Sequence, residues 1–377
     1  MQDSSSAAVN HLPPALRALA IHLPQFHPVR DNDERRGQGF TEWTNVAKAK
    51  PRFPGHYQPQ LPADLGFYDL RVPETRQLQA DLARQYGISG FCYYHYWFNG
   101  RRILERPVEE ILRSGQPDFP FCLCWANENW SRRWDGSEQE VLLHQEYSKQ
   151  DDLDHIRVLA EYFADSRYIR VDGKPVFIVY RSELFPNIKE TLTTWREEAQ
   201  RLGIGELYLM RMESFSRDVN PHELGFDAAV EFQPNWGHMP PRLFGSFARR
   251  VVRKLRIKES FYVKDAVYDY GHLTRNMMSK PPVEYKRFPG VMPAWDNSAR
   301  RKQAATIITD STPELYEAWL RDTVQKFIPY SPEENFVFIN AWNEWAEGNH
   351  LEPCQRWGRK YLDATARALN GQTQAAK

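Results

Sequence analysis

Ser89-Gly90-Phe91-Cys92-Tyr93-Tyr94-His95-Tyr96-Trp97-Phe98 reads as a β-strand, and it follows directly on a helix-like segment at 73–86. The same succession recurs along the chain. Strand-like apolar runs lie at 18–26, 119–126, 175–180, 207–212, 228–232, 290–294 and 336–341, which with the first make eight. The run at 175–180 is introduced by the turn Asp172-Gly173-Lys174-Pro175. Helical spacing marks 151–163, 188–202 and 313–327 between them. Strands alternating with helices predict an α/β fold with a parallel sheet. Eight such units predict a (β/α)8 TIM barrel, with a doubly wound open sheet as the alternative. No Gly-x-Gly-x-x-Gly follows a strand, so a dinucleotide site has no support in either.

One domain is expected over 16–369, with polar, small-residue tails at 1–15 and 370–377 that read as disordered. The 377 residues exceed an ordinary domain, but barrels reach ~250 residues or more as one unit. A core of that size needs no disulfide or metal. Cys92, Cys122 and Cys124 fall inside strands and Cys354 stands alone. Cys122-x-Cys124 has no second pair, so buried reduced thiols are expected rather than zinc. Lys plus Arg and Asp plus Glu each number 49, a balance that argues against nucleic-acid binding. Met1-Gln2-Asp3-Ser4-Ser5-Ser6 lacks the basic and apolar regions of a secretory signal. No stretch approaches the ~20 apolar residues of a membrane span, and a cytoplasmic protein is expected.

Two stretches, 28–69 and 247–285, read as long βα-loops, which carry function in barrels. The second holds Arg249-Arg250-Val251-Val252-Arg253-Lys254-Leu255-Arg256. Such a run is usually a solvated helix face; its functional option is peripheral contact with an anionic lipid head group, a sugar phosphate or a partner.

Phe, Trp and Tyr make up 14% of the chain, many beside Asn, Asp, Glu and His. Flat rings that cover the CH faces of pyranoses, beside polar groups for the hydroxyls, describe a sugar site. In a barrel the C-terminal strand ends meet in one mouth. Strand one runs into Gln25 and His27, with Trp43 in the loop beyond. Strand two offers Tyr94, His95 and Trp97, and strand three Trp125, Asn127, Glu128 and Trp130. Strands four and five reach Tyr180-Arg181-Ser182-Glu183 and Arg211-Met212-Glu213. Strand six ends in Glu231, strand seven in Trp295-Asp296, and strand eight in Trp342-Asn343. Carboxylates and amides beside aromatics thus recur at nearly every end.

Strand eight continues into Glu344-Trp345-Ala346-Glu347. Glycosidic cleavage needs two carboxyls, one held protonated and one ionised. Glu344 and Glu347 face one side if the chain turns helical there, and Trp345 between them could shield one from water. No Gly-x-Ser-x-Gly elbow and no Gly-x4-Gly-Lys-Ser/Thr loop occurs. Hydrogen-bonding roles for His22, His27 and His95 outweigh a metal site built from them. No cofactor is expected.

The chain resembles the WbsX-type proteins of bacterial polysaccharide clusters, which are related to glycoside hydrolase family 99. The matching stretches are His22-Leu23-Pro24-Gln25-Phe26-His27, Gly39-Phe40-Thr41-Glu42-Trp43-Thr44-Asn45-Val46, the strand from Gly90 to Phe98, Cys124-Trp125-Ala126-Asn127-Glu128-Asn129-Trp130, and Asn343-Glu344-Trp345-Ala346-Glu347-Gly348 followed by Leu351-Glu352-Pro353. The resemblance implies a (β/α)8 barrel that cleaves or transfers a glycosidic linkage with retention, in the metabolism of bacterial surface polysaccharide such as O-antigen or capsule. The substrate would be a glycan or glycolipid. It also implies that Glu344 acts on the sugar's 2-hydroxyl to give a 1,2-anhydro sugar and that Glu347 is general acid, then base. The hydrolases commonly carry His where this chain has Ala346, a departure that bears on which sugar is bound. The alternatives are a nucleotide-sugar-dependent glycosyltransferase and a non-catalytic glycan-binding barrel. No Gly-rich phosphate loop is present for the first.

Overall fold

A computed structural model of the chain describes residues 16–131, 141–215, 217–244, 250–251, 254–255 and 264–371. The strands predicted from the sequence form one parallel sheet, β1 (Arg17–His22), β2 (Ile88–Phe98), β3 (Phe121–Trp125), β4 (Lys174–Val179), β5 (Tyr208–Glu213), β6 (Ala228–Glu231), β7 and β8 (Phe336–Ile339). Strand β7 comprises two segments, Arg287–Phe288 and Gly290–Val291, on either side of Pro289. The first segment pairs with β6 and the second with β8, while β8 also pairs with β1. Nine parallel segments therefore nearly close a barrel, with helices between strands.

Glycine sets two close approaches in this barrel. A Cβ on Gly290 would stand 2.0 Å from the Glu231 carbonyl oxygen, and one on Gly90 would stand 2.8 Å from that of Pro120. Only a residue without Cβ lets the neighbouring backbones meet there.

The helices start where their caps dictate. Ser148 accepts from the Asp151 amide ahead of the helix Lys149–Phe163, and Thr312 accepts from the Leu315 amide ahead of Pro313–Lys326, whose proline occupies the first turn. That second helix buries Tyr316, Trp319, Leu320 and Val324, a stripe of helical period facing the barrel. All four cysteines are buried and free of disulfides.

Strand residues alternate between the barrel interior and the surrounding helices. In β2 the rings of Tyr94 and Tyr96 line the interior cavity. His95 and Trp97 point the other way, onto the helix Lys149–Phe163, where they meet His155 and Asp151.

The two long loops are more structured than their sequence suggested. The loop after β1 contains the short helices Arg30–Arg36 and Glu42–Lys48. Within and beyond 247–285, Ala266–Asp269 pairs in parallel with Thr306–Thr309, which pairs antiparallel with Trp295–Asp296. This small sheet is not hydrogen-bonded into the barrel sheet. Of the basic run, Arg249, Val252, Arg253 and Arg256 lie outside the described residues, as do 1–15 and 372–377. No helix among the described residues is long and apolar enough to cross a membrane.

Candidate active site

A cavity of about 300 Å³ opens at the C-terminal ends of the strands. Glu344 and Glu347 line it, together with Arg300 and Glu42. The turn that presents the two glutamates is fixed from several sides. Asn343–Glu344 pairs antiparallel with Asn349–His350 around a single 3-10 turn, Trp345–Glu347. Gly348, at φ +57, reverses the chain. The Asn343 side chain accepts from the Leu23 amide at 2.7 Å and donates to the Leu23 carbonyl at 3.0 Å, tying this turn to the end of β1.

Trp345 does not stand between the carboxyls, contrary to the sequence expectation. Its ring stacks on His350 at 3.7 Å, and its indole donates to Glu352 Oε2 at 2.6 Å. Glu352 also accepts from the Tyr68 hydroxyl at 2.8 Å and from Gln79 Nε2 at 2.7 Å. Burial nonetheless pushes the Glu352 carboxyl up to about 7. This buried network lies behind the turn and holds its shape.

The two carboxyls do face the same side. Arg300 Nη2 donates to Glu344 at 2.9 Å and Nη1 to Glu347 at 2.8 Å, while Nε donates to Glu42 at 3.2 Å. Burial pushes the Glu344 carboxyl up to about 8; Arg300 opposes that rise, and the charges of Glu347 and Glu42 add to it.

Among the polar atoms of cavity-lining residues, Gln25 Nε2, Asn45 Nδ2, Trp130 Nε1, Trp295 Nε1 and Asn340 Oδ1 find no hydrogen-bond partner among the described residues. Buried donors and acceptors are normally paired, with protein groups or with ordered water. Aromatic walls accompany them. Tyr96 meets Trp130 edge-on at 5.2 Å, and Trp236 meets Trp295 edge-on at 6.0 Å.

Of the residues singled out in the sequence, Gln25, Tyr94, Glu128, Trp130, Trp295, Glu344 and Glu347 share this cavity. Glu128 is ion-paired with Arg181. The others stand behind its walls. His27 is buried outside the lining, and burial pulls its imidazole down to about 4. Trp43 packs between Phe26 and Trp345 and donates to the Tyr68 carbonyl at 2.8 Å. His95 and Trp97 face the neighbouring helix, and Trp125 is fully buried with its indole on the Trp97 carbonyl at 3.2 Å. Asn127 bridges the ends of β3 and β4, accepting from the Arg181 amide at 2.8 Å and donating to the Arg181 carbonyl at 2.8 Å. Glu231 pairs with Lys280 on the outer face of β6. Trp342 is fully buried, its ring 5.1 Å from Phe91.

Asp296 serves a smaller cavity of about 50 Å³ nearby. It bonds His56 Nε2 at 2.7 Å, Gln58 Nε2 at 2.5 Å and the Ser298 amide at 2.9 Å. Burial works against its charge, but these partners hold its carboxyl below the usual range.

Sequence reading missed Arg300, Glu42, Arg36, Tyr96, Trp236 and Asn340 as site residues, all of which line the main cavity. Glu42 and Tyr96 lay inside stretches that carried the family resemblance. Arg300 had no such signal; it caps the end of the 3-10 turn Asn297–Ala299, which leads off the small sheet.

The family model described as glycosyltransferase WbsX matches residues 18–365. Two proteins described as uncharacterized protein WxcX, from Xanthomonas campestris pv. campestris strains B100 and ATCC 33913, are each 44% identical over 376 residues, 97% of this chain and 52% of their own length. The chain thus spans about half the length of the curated relatives it matches. Among solved structures, a glycoside hydrolase-like protein aligns over 98% of this chain and 96% of its own, with 12% identity and a TM-score of 0.58. The GH99 endo-alpha-mannosidase from Bacteroides thetaiotaomicron aligns over 96% of this chain and 98% of its own, with 14% identity and a TM-score of 0.56. At these identities the likeness establishes the (β/α)8 barrel fold.

Proposed function

We propose that this chain, which belongs to the WbsX glycosyltransferase family, is a carbohydrate-active enzyme that cleaves or transfers a glycosidic linkage with retention in bacterial surface polysaccharide metabolism. The observation that carries this reading is the cavity itself, where a carboxyl pair stands among aromatic rings and unpaired donors. Rings for sugar faces and single donors for hydroxyls suit a glycan. A soluble glycan or a lipid-linked one would both fit. The basic stretch 249–256 would serve a peripheral membrane or partner contact in the second case.

The roles follow the resemblance to family 99 hydrolases. Glu344 removes the proton from the sugar's 2-hydroxyl as that oxygen attacks C1. The bond from C1 to the leaving oxygen breaks, and Glu347 gives its proton to that oxygen. The products of this step are an alcohol and a neutral 1,2-anhydro sugar. Water or a second sugar hydroxyl then attacks C1 and loses its proton to Glu347, while Glu344 returns its proton to O2. Two displacements at C1 retain the configuration. With water the outcome is hydrolysis; with a sugar acceptor it is transfer. A base raised to about 8 is stronger than an ordinary carboxylate.

Glu344→Gln and Glu347→Gln are each expected to lower turnover on an authentic glycan by about 100-fold or more while the protein stays folded. A variant that keeps wild-type turnover would remove its residue from the chemistry. The family's description as glycosyltransferase supports a second reading, transfer from a nucleotide sugar. Calorimetry with a panel of nucleoside diphosphates separates the two, since the glycosidase reading expects no saturable binding.

A further inference from the structure

Arg300 contacts three carboxylates with three different nitrogens, and two of the three are the pair assigned to the chemistry. Its own position is fixed. The Arg300 amide closes the 3-10 turn on the Asn297 carbonyl at 3.1 Å, and Asp296 caps the start of that turn. Glu42, only 2% exposed, anchors the guanidinium from the helix Glu42–Lys48.

We propose that Arg300 is a positioning residue, a stationary countercharge that straddles Glu344 and Glu347 so that one negative charge can pass between them without any group moving to follow it. The proposal rests on the roles given above for the pair. In the first step Glu344 gains the 2-hydroxyl proton and Glu347 gives its proton to the leaving oxygen. The pair therefore carries one negative charge before the step and one after it. Only the location of that charge changes, from the carboxyl on Nη2 to the carboxyl on Nη1. A donor fork already bonded to both ends needs no reorganisation during the transfer, which is where preorganised electrostatics lowers a barrier.

The surrounding charges balance on this account. Arg36 faces Glu42 and Arg300 closely enough to feel both. Two guanidiniums, Arg36 and Arg300, then stand against two negative charges, that of Glu42 and the single one of the pair. Glu128, paired with Arg181, and Arg301 line the same cavity, and the tyrosines facing the pair are Tyr94 and Tyr96 of β2 and Tyr180 just beyond β4, all held neutral by burial. None of these tyrosines can replace the guanidinium. A lysine in place of Arg300 would keep the charge but lose the fork that reaches two carboxyls at once.

The test uses the full chain and two variants, Arg300→Met and Arg300→Lys, with two readouts. The first is the number of protons on the pair at pH 7 without substrate, from the carboxyl bands in difference infrared spectra assigned with Glu344→Gln and Glu347→Gln. The wild type is expected to hold one proton there and Arg300→Met two, because removal of the countercharge disfavours the remaining carboxylate. Arg300→Lys should return to one. The second readout is kinetic. Arg300→Met should lose about 100-fold or more in kcat with KM little changed, and its acidic limb should move up by about 1 to 3 pH units. Arg300→Lys should recover the limb but only part of kcat. A folded Arg300→Met with one proton on the pair and an unmoved limb would overturn the proposal. If Arg300→Met does not fold, wild-type kcat in Arg300→Lys overturns it. Unchanged turnover in Glu344→Gln would instead remove the mechanism beneath it, and the infrared count separates that failure from a failure of Arg300.

Discussion

The side-chain amide of Asn343 exchanges two hydrogen bonds with the backbone of Leu23, at 2.7 and 3.0 Å, and so fastens the turn after the last barrel strand to the end of the first. Its Nδ2 also lies 3.2 Å from the Tyr68 hydroxyl, which in turn donates to Glu352. Asn343→Ala leaves the Leu23 amide and carbonyl buried without these partners, at a cost of about 1 to 3 kcal/mol. Thermal unfolding should register that loss. Turnover should fall by more than stability alone explains, because Glu344 is the next residue. A variant with wild-type turnover would show that this tie does not set the geometry of the pair.

Trp130 and Trp295 line the cavity, and the indole nitrogen of each has no hydrogen-bond partner among the described residues. Trp130→Phe and Trp295→Phe remove the donor and keep a ring. Losing an unpaired donor costs the fold nothing, so the melting temperature should hold. Losing a hydrogen bond to a sugar hydroxyl should raise KM by about 2- to 12-fold. A lower melting temperature with unchanged KM would place these indoles in the fold rather than in binding.

The raised carboxyl of Glu344 couples both activity and stability to pH. The active pair holds one proton, so kcat/KM should fall as the pH rises through about 8 and that proton is lost. A profile that still climbs through that region would contradict a single shared proton. For stability, a folded-state value above the ordinary carboxylate range means that the contribution of the protonated group is full below the unfolded value. It is then lost as the pH rises through about 8. Glu344→Gln should therefore gain stability over wild type progressively between about pH 5 and pH 8. Parallel melting curves at both ends of that range would contradict the assigned burial.

The barrel was legible because each of its strands is an apolar run set off by helical segments or turn residues, as in Ile88–Phe98 after Pro73–Gln85. The facing of individual side chains was not. In β2 both faces carry rings, since the strand is buried against the core on one side and a helix on the other. Nothing in Tyr94-His95-Tyr96-Trp97 marks which parity points inward, so His95 and Trp97 were grouped with Tyr94 although they face the helix Lys149–Phe163. Trp125 and Asn127 are outward-facing for the same reason. The small sheet escaped notice because its strands are short and lie up to 40 residues apart (Ala266 pairs with Thr306), and local periodicity carries no trace of such a pairing. Arg300 was lost with it. The acidic motif was found because its residues are contiguous; the guanidinium that joins it arrives from another element.

The measurement closest to the central claim is the anomeric configuration of the first-formed product, followed by proton NMR as the enzyme acts on its glycan without any nucleotide added. Retention of configuration, lost together with turnover in Glu344→Gln and Glu347→Gln, is the expected result. Inversion, or product that forms only when a nucleotide sugar is supplied, would contradict it.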